Sequence, residues 1–349
     1  MRVLTSALRR CLSLAVIGAL AACGGADSST GTAPAPAKTA VGVQLSWFHS
    51  IEFAGIYEGI RQGSYAEAGL DVRVDDGGIG ADGTYIDPVA RVVGGQAEFG
   101  VAGADVVLRA RAGGAPIVAI AAIYQRSPVG IMSTAGAKIA KPEDLVGRKV
   151  GIAPQGTTVY ISYRALLQSK GIDPASISEV PVDPAASVEA LFKGEIDALH
   201  TFVTHEAVQG RARASDVNVM VLSDYGIDIY SNVLFTTEKL IAEKPALVEG
   251  FVRGTVKGLQ WAADHPDEAA ANVNAVYGAK IPPPLQQIQQ AGMQAAVPLI
   301  RPAGSQPGMM SAQNWESAHK VLLDQQLIMQ PLDVKAAYNL SFLEKAYQQ

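Results

Sequence analysis

Beyond residue 23 the chain contains no cysteine, its two being Cys11 and Cys23. A folded body that begins after Cys23 therefore has no disulfide, no thiolate metal site and no catalytic thiol. Histidine is scarce. His49, His200, His205, His265 and His319 form no recognised zinc spacing, and "HEAV" from His205 lacks the second histidine of an HExxH helix. No metal and no cofactor are expected. Charge of one sign is never concentrated: 28 Lys+Arg stand against 33 Asp+Glu, net −5. The basic footprint of a nucleic-acid binder is missing, so DNA and RNA are not expected partners. Near the N-terminus, the apolar run "CLSLAVIGAL" is too short to span a membrane.

That run follows Arg2, Arg9 and Arg10, and the pattern reads as an export signal. It ends in "LAAC", Leu20 to Cys23, which resembles a bacterial lipobox, where the signal is cut before the cysteine and the thiol is acylated. Residues 1–22 are then a signal peptide and Cys23 is the lipidation site. Residues 24–39, "GGADSSTGTAPAPAKT", have no apolar period and read as a tether spanning roughly 20–25 Å. The chain is expected to be exported and lipid-anchored to the cell membrane, facing the periplasm or the exterior.

The remaining sequence, in a chain of 349 residues that is 48% hydrophobic, is long enough for about two domains. Short β-like runs, "VGVQL" (41–45), "LDVRV" (70–74), "PIVAIAAI" (116–123), "VGIMS" (129–133), "KVGIA" (149–153) and "VNVMVL" (217–222), alternate with helical spacing. The pattern predicts an α/β chain with mostly parallel sheets. From Pro245 it becomes helical only. A weak internal repeat at an offset of 99 residues aligns Gly95 with Gly194, Glu98 with Asp197 and Asp105 with Thr204. Upstream of each copy stands an Asp-Pro pair, Asp87-Pro88 and Asp183-Pro184, suited to capping a short helix. Each copy thus reads helix, glycine, strand, helix start. Two such sheets would face each other across a crevice, with Gly103, Ala104 and Asp105 on one wall and Thr201, Phe202 and Thr204 on the other.

The stretch "SWFHSIEFAGIYEGIRQGSYAEAGLDV" (46–72) carries an aromatic-led W-F-x-x-x-x-F-A-G-x-Y and then G-x-Y-x-E-x-G-L-D-V. With "GGQAEFGVAGADVVLRARAGGAPIVAIAAIYQRSP" (94–128), "KPEDLVGRKVGIAPQGTTVYISYRALLQSKGI" (141–172), "LFKGEIDALHTF" (191–202) and "VLFTTEKLIAEKPALVEGFVRGTVKGLQWAADHPDEA" (233–269), it resembles the substrate-binding proteins of bacterial importers for sulfonates, nitrate and thiamine precursors, the branch shared with thiamine-pyrimidine synthase. The resemblance implies a two-lobed periplasmic-binding-protein type II (Venus flytrap) fold with a helical C-terminal tail. Lobe 1 would take residues 40–127 plus 232–349, and lobe 2 residues 128–231. It further implies a monomer that delivers a small molecule to a membrane permease driven by a cytoplasmic ATPase.

Trp47 follows the first strand and offers a stacking face, with His49 and Glu52 as polar contacts behind it. Tyr57, Tyr124, Tyr225 and Tyr230 are candidates for an aromatic surround, and Gln125 stands beside Tyr124. "GTT", Gly156, Thr157 and Thr158, opens a helix whose N-terminus suits a polar ring atom or anion. Phe202, Thr204 and Glu206 complete the candidate contacts. Glu52, Asp105, Glu206, Asp224 and Asp228 make the cleft acidic, with Arg126 its evident cation. A neutral or weakly basic ring therefore fits better than an oxyanion, and a thiamine pyrimidine precursor is the expected ligand. Where the thiamine-precursor branch has Asn and His, this chain has Ser50 and Phe53, which keeps a flavin such as riboflavin as the alternative, ahead of sulfonate or nitrate. The synthases' cysteine-rich run is absent, so a binder rather than an enzyme is expected. Gly55, Gly59 and Gly63 share one helical face, which suits close packing, with Gly63 also placed as a cap.

Overall fold

The computed structural model describes residues 37–348 apart from Asp82, Pro184, Ala185 and Ser215. The expected signal peptide, Cys23, most of the tether and Pro184 lie outside these residues. Thr39, expected to end the tether, already pairs with Leu70 in a strand.

Among the described residues, ten strands form two five-stranded sheets. In chain order they are β1 (Thr39–Gln44), β2 (Leu70–Asp75), β3 (Phe99–Ala102), β4 (Ile117–Ala122), β5 (Val129–Ser133), β6 (Lys149–Ile152), β7 (Ser178–Pro181), β8 (Ala198–Phe202), β9 (Asn218–Val221) and β10 (Val233–Thr237). The first sheet has the order β2-β1-β3-β10-β4 and the second β7-β6-β8-β5-β9. The two orders are the same topology written twice. In each sheet four strands run one way and one is reversed: β10 runs antiparallel to both β3 and β4, and β5 to both β8 and β9. The physical reason is the route of the chain. It leaves the first sheet after Ala122, enters the second at Val129 and returns at Val233. Each returning strand starts at the end where the parallel strands finish, so it must run the other way.

The internal repeat has a structural cause. Gly95 and Gly194 adopt φ 72° and 74°, the left-handed turn that glycine enters without steric cost. Four residues later β3 and β8 begin, each at the centre of its sheet. In both copies the acidic side chain ahead of the strand caps its parallel neighbour: Glu98 accepts from the Gly42 N–H (2.6 Å) and Asp197 from the Lys149 N–H (2.8 Å). The helix starts match less well. Asp87 caps Pro88–Val93 through the N–H groups of Val89 and Ala90, whereas the second copy's helix, Ser187–Phe192, begins after Ala186, three residues beyond Asp183.

Two large cores back the sheets. One runs from β1 through the C-terminal helices and includes Trp315, Phe251 and Phe99; the other surrounds Tyr163, Leu166 and Ile131. Gly55 and Gly59 face the helix Pro245–Asp264. A Cβ on Gly59 would stand 2.7 Å from the Gly254 carbonyl oxygen, and one on Gly55 2.5 Å from Leu259 Cγ. Gly63 differs: at φ 75° it ends one helix and caps the next, with nothing near its missing side chain.

Candidate functional site

The site lies where the strand ends of the two sheets meet. Ser50 sits in extended backbone and caps the turn Ile51–Phe53, accepting from the Glu52 N–H. That turn buries Glu52, 4% exposed, between the lobes. Asn232, at the return into β10, donates to Glu52 Oε1, and His205, just after β8, places Nε2 4.0 Å from Glu52 Oε2. Burial raises the Glu52 pKa, and His205 and Asn232 oppose the rise. Around this carboxyl, Tyr124 Oη, Thr204 Oγ1, His205 Nε2 and Asn232 Oδ1 are beyond solvent reach and without a hydrogen-bond partner. The Tyr124 and Thr204 hydroxyls are neighbours, but the geometry gives neither a bond. Each such group carries a cost of about 1–3 kcal/mol, so several gathered at one place mark a floor with unmet polar demand.

Partly exposed aromatic side chains stand on neighbouring segments. Trp47 is half-buried and meets Phe48 edge-on, centroids 5.2 Å apart. Phe48 is also only half-buried, against Gly78. Tyr85 donates to the Ser46 carbonyl (3.1 Å) and leaves half its surface exposed. Enclosure of its hydroxyl end pushes its pKa up to about 12, with the carboxylates of Asp87, Glu52 and Asp105 adding to the shift. From the second lobe Phe202 stacks on His205 at 5.9 Å, and Glu206 accepts from the Phe202 N–H.

Several of the expected contacts have protein partners in this structure. His49 is 2% exposed and has both ring nitrogens engaged, Nδ1 with Tyr57 Oη (2.8 Å) and Nε2 with Asp76 Oδ1 (2.7 Å). Tyr57 is buried and packs tilted against Tyr277, ring centroids 4.3 Å apart. The pair therefore braces the loop that carries Trp47. Gln125 donates to the carbonyls of Ile300 and Gln306 and accepts from Ser305. Tyr230 is buried and bonds Ser311, and Tyr124 is fully buried, only its hydroxyl end meeting the floor. Tyr225 lies beneath Lys170, at the far end of a helix whose N-terminus faces the cleft. Twelve residues place it about 18 Å away. Thr157 is an ordinary N-cap for Tyr160, and Thr158 bonds Asp105, so both hydroxyls of "GTT" have protein partners. Gly156 is exposed, its carbonyl accepting from Arg109.

The charged candidates change as well. Arg126 is tied to Ser223 and Asp224, and Asp228 accepts from the Ser127 N–H, so these groups link the two crossing segments. Phe53, one of the two departures that kept a flavin as the alternative, is fully buried core. Tyr85 and Asn232 were missed. Their only signal was position, Asn232 within the return crossing and Tyr85 two residues before the helix-capping Asp87.

Two sheets of this topology, joined at their strand ends and carrying a helical tail, form the fold of periplasmic binding proteins. The crystal structure of the periplasmic aliphatic sulphonate binding protein SsuA from Escherichia coli matches it with a TM-score of 0.66, at 14% identity over 85% of this chain and 91% of that one. The chain belongs to the NMT1/THI5-like family, whose model matches residues 50–269. Among relatives, it is 25% identical to the riboflavin-binding protein RibY of Chloroflexus aurantiacus over 95% of this chain and 96% of that one. It is 25% identical to the formylaminopyrimidine-binding protein of Halalkalibacterium halodurans over 86% and 89%, and 24% identical to 4-amino-5-hydroxymethyl-2-methylpyrimidine phosphate synthase of Legionella pneumophila over 66% and 72%.

Proposed function

We propose that the protein is the solute-binding component of an ATP-driven importer. It captures a small aromatic nitrogen heterocycle, a thiamine pyrimidine precursor in the first instance, and delivers it to a membrane permease. The carrying observation is the site's composition. In this reading Trp47, Tyr85 and Phe202 form a rim over the Glu52 carboxyl, and the cations nearby are already paired: Arg126 with Asp224, Arg109 with Asp105. A ring gains from the stacking faces, and its N–H groups suit Glu52 and the Asn232 carbonyl oxygen. A sulfonate or nitrate would meet a carboxylate instead of a free cation.

Riboflavin is the second reading, favoured by the end-to-end similarity to RibY. The residues at 50 and 53 no longer support it, since one is a helix cap and the other is core. In this reading the lobes are residues 40–127 with 232–349, and 128–231. They close about the crossings as a monomer, which "LAAC" and the tether hold at the membrane after export. Catalysis is not part of the proposal, since the cysteine-rich run of the synthases is absent: no cysteine follows residue 23.

Calorimetric titration with hydroxymethylpyrimidine, formylaminopyrimidine, riboflavin, taurine and nitrate tests the reading. Binding confined to taurine or nitrate would overturn it, and turnover of a bound ring, seen by mass spectrometry, would replace a binder with an enzyme. Trp47→Ala should weaken ring binding about tenfold, the equivalent of a stacking contact of up to roughly 1.5 kcal/mol. Tyr225→Ala, far from the rim, should leave affinity unchanged.

A further inference from the structure

We propose that a clasp made only of protein groups, centred on Asp105 and Thr158, holds the two lobes together without ligand and so sets how much of the empty protein is open to it. The proposal rests on the reading of the two sheets as moving lobes.

Asp105 lies in the first turn of the helix Ala104–Ala112 on the first lobe, and Thr158 is the first residue of Thr158–Ser169 on the second. Thr158 Oγ1 donates to Asp105 Oδ1 at 2.6 Å. Arg109, one turn on, donates from Nη2 to Asp105 Oδ2 (3.1 Å) and to the Gly156 carbonyl (3.0 Å), bridging the lobes a second time. Two helix N-termini thus share one buried carboxylate, and both end dipoles favour its negative charge. No side chain fits between them: a Cβ on Gly103 would collide with both Asp105 Oδ1 and Thr158 Oγ1.

Two further contacts lie elsewhere on the junction. A Cβ on Gly292, in the tail helix Gln289–Ile300, would stand 2.7 Å from the Thr204 carbonyl oxygen, so the tail meets the second lobe backbone to backbone. Gln325 Nε2 donates to the Ile161 carbonyl at 3.0 Å. Each of these contacts is between protein groups. Asp105 is therefore a positioning residue rather than the ligand contact its place in the repeat implied. While the clasp is shut, the Glu52 floor is sealed, and observed affinity is the intrinsic affinity multiplied by the open fraction.

The test measures lobe separation in the full chain, with Cys11→Ser and Cys23→Ser removing the native thiols. Spin labels enter at Val146→Cys on the second lobe and Val276→Cys on the first, both exposed positions. Electron–electron dipolar distances are recorded on protein shown by native mass spectrometry to be ligand-free. The parent should give one short distance population. Thr158→Val, which removes the donor but leaves the Thr157 cap, and Gly292→Ala, which wedges the tail from Thr204, should each add a longer population, with melting temperatures within a few degrees of the parent. A parent already at the longer distance would overturn the proposal. So would variants that stay at the short one. Neither result touches the ligand titration, which judges the binding function separately.

Discussion

Gly258→Ala is expected to destabilise the protein by about 3 kcal/mol, at the upper end of what overpacking a core costs. Gly258 lies on the helix Pro245–Asp264 where it crosses Ala54–Arg61. A Cβ there would fall deep inside the Gly55 carbonyl oxygen and 2.5 Å from the Gly59 nitrogen. Both obstacles are backbone atoms, which no rotamer change can move, so the helices must separate along their length. The roughly 1 kcal/mol that alanine gains in helix propensity does not offset the loss of that packing. Gly136→Ala is the control: nothing lies within 4 Å of its added Cβ, and its stability should change by less than about 0.5 kcal/mol. Urea unfolding of the two variants beside the parent makes the comparison. Equal midpoints would show that the helix crossing tolerates a side chain.

Acidification from pH 7 to pH 5 should cost the fold about 2 kcal/mol through His200 alone. His200 is on β8, buried against Tyr163 with ring centroids 4.3 Å apart. Its Nδ1 accepts from the Ala153 N–H at 3.2 Å, so the proton sits on Nε2, and protonating Nδ1 would set two N–H groups against each other. Burial lowers its pKa from 6.5 to about 3. Because the folded value lies below the unfolded one, the unfolded chain binds the proton first as pH falls. The stabilisation is therefore whole above pH 6.5 and disappears progressively toward pH 3. His200→Gln keeps an acceptor for Ala153 and removes the titration. Its stability should fall about 2 kcal/mol less than the parent's between pH 7 and pH 5; parallel losses in both proteins would assign the acid sensitivity elsewhere.

Legibility differed by kind of feature. Period-2 runs placed β2, β4, β5 and β9 within a residue or so, because half-buried and buried strands carry their own pattern. The repeat was readable because the same acidic cap and the same left-handed glycine recur at a constant offset. β7 escaped, being a mostly polar, half-exposed edge strand, and so did β10, a short apolar run hidden at the start of a helical region. At the candidate site, Trp47 and Glu52 are expected from their place after β1. His49 and Gln125 were expected at the ligand and are instead tied to Asp76 and to Ile300. A polar side chain reads the same in sequence whether its partner is a ligand or a carbonyl 175 residues away.

The sequence by itself determined the alternation of strands and helices, the cap at Asp87 and the two-copy plan, because each depends on groups within a few residues of one another. Tertiary structure alone decided which polar groups have protein partners. Glu52 meets Asn232 across 180 residues, Asp105 meets Thr158 across 53, and Gly292 meets the Thr204 carbonyl where the tail reaches the second lobe. Those pairings follow from where the chain crosses between sheets. Crossing is a property of the whole path, which no local spacing encodes.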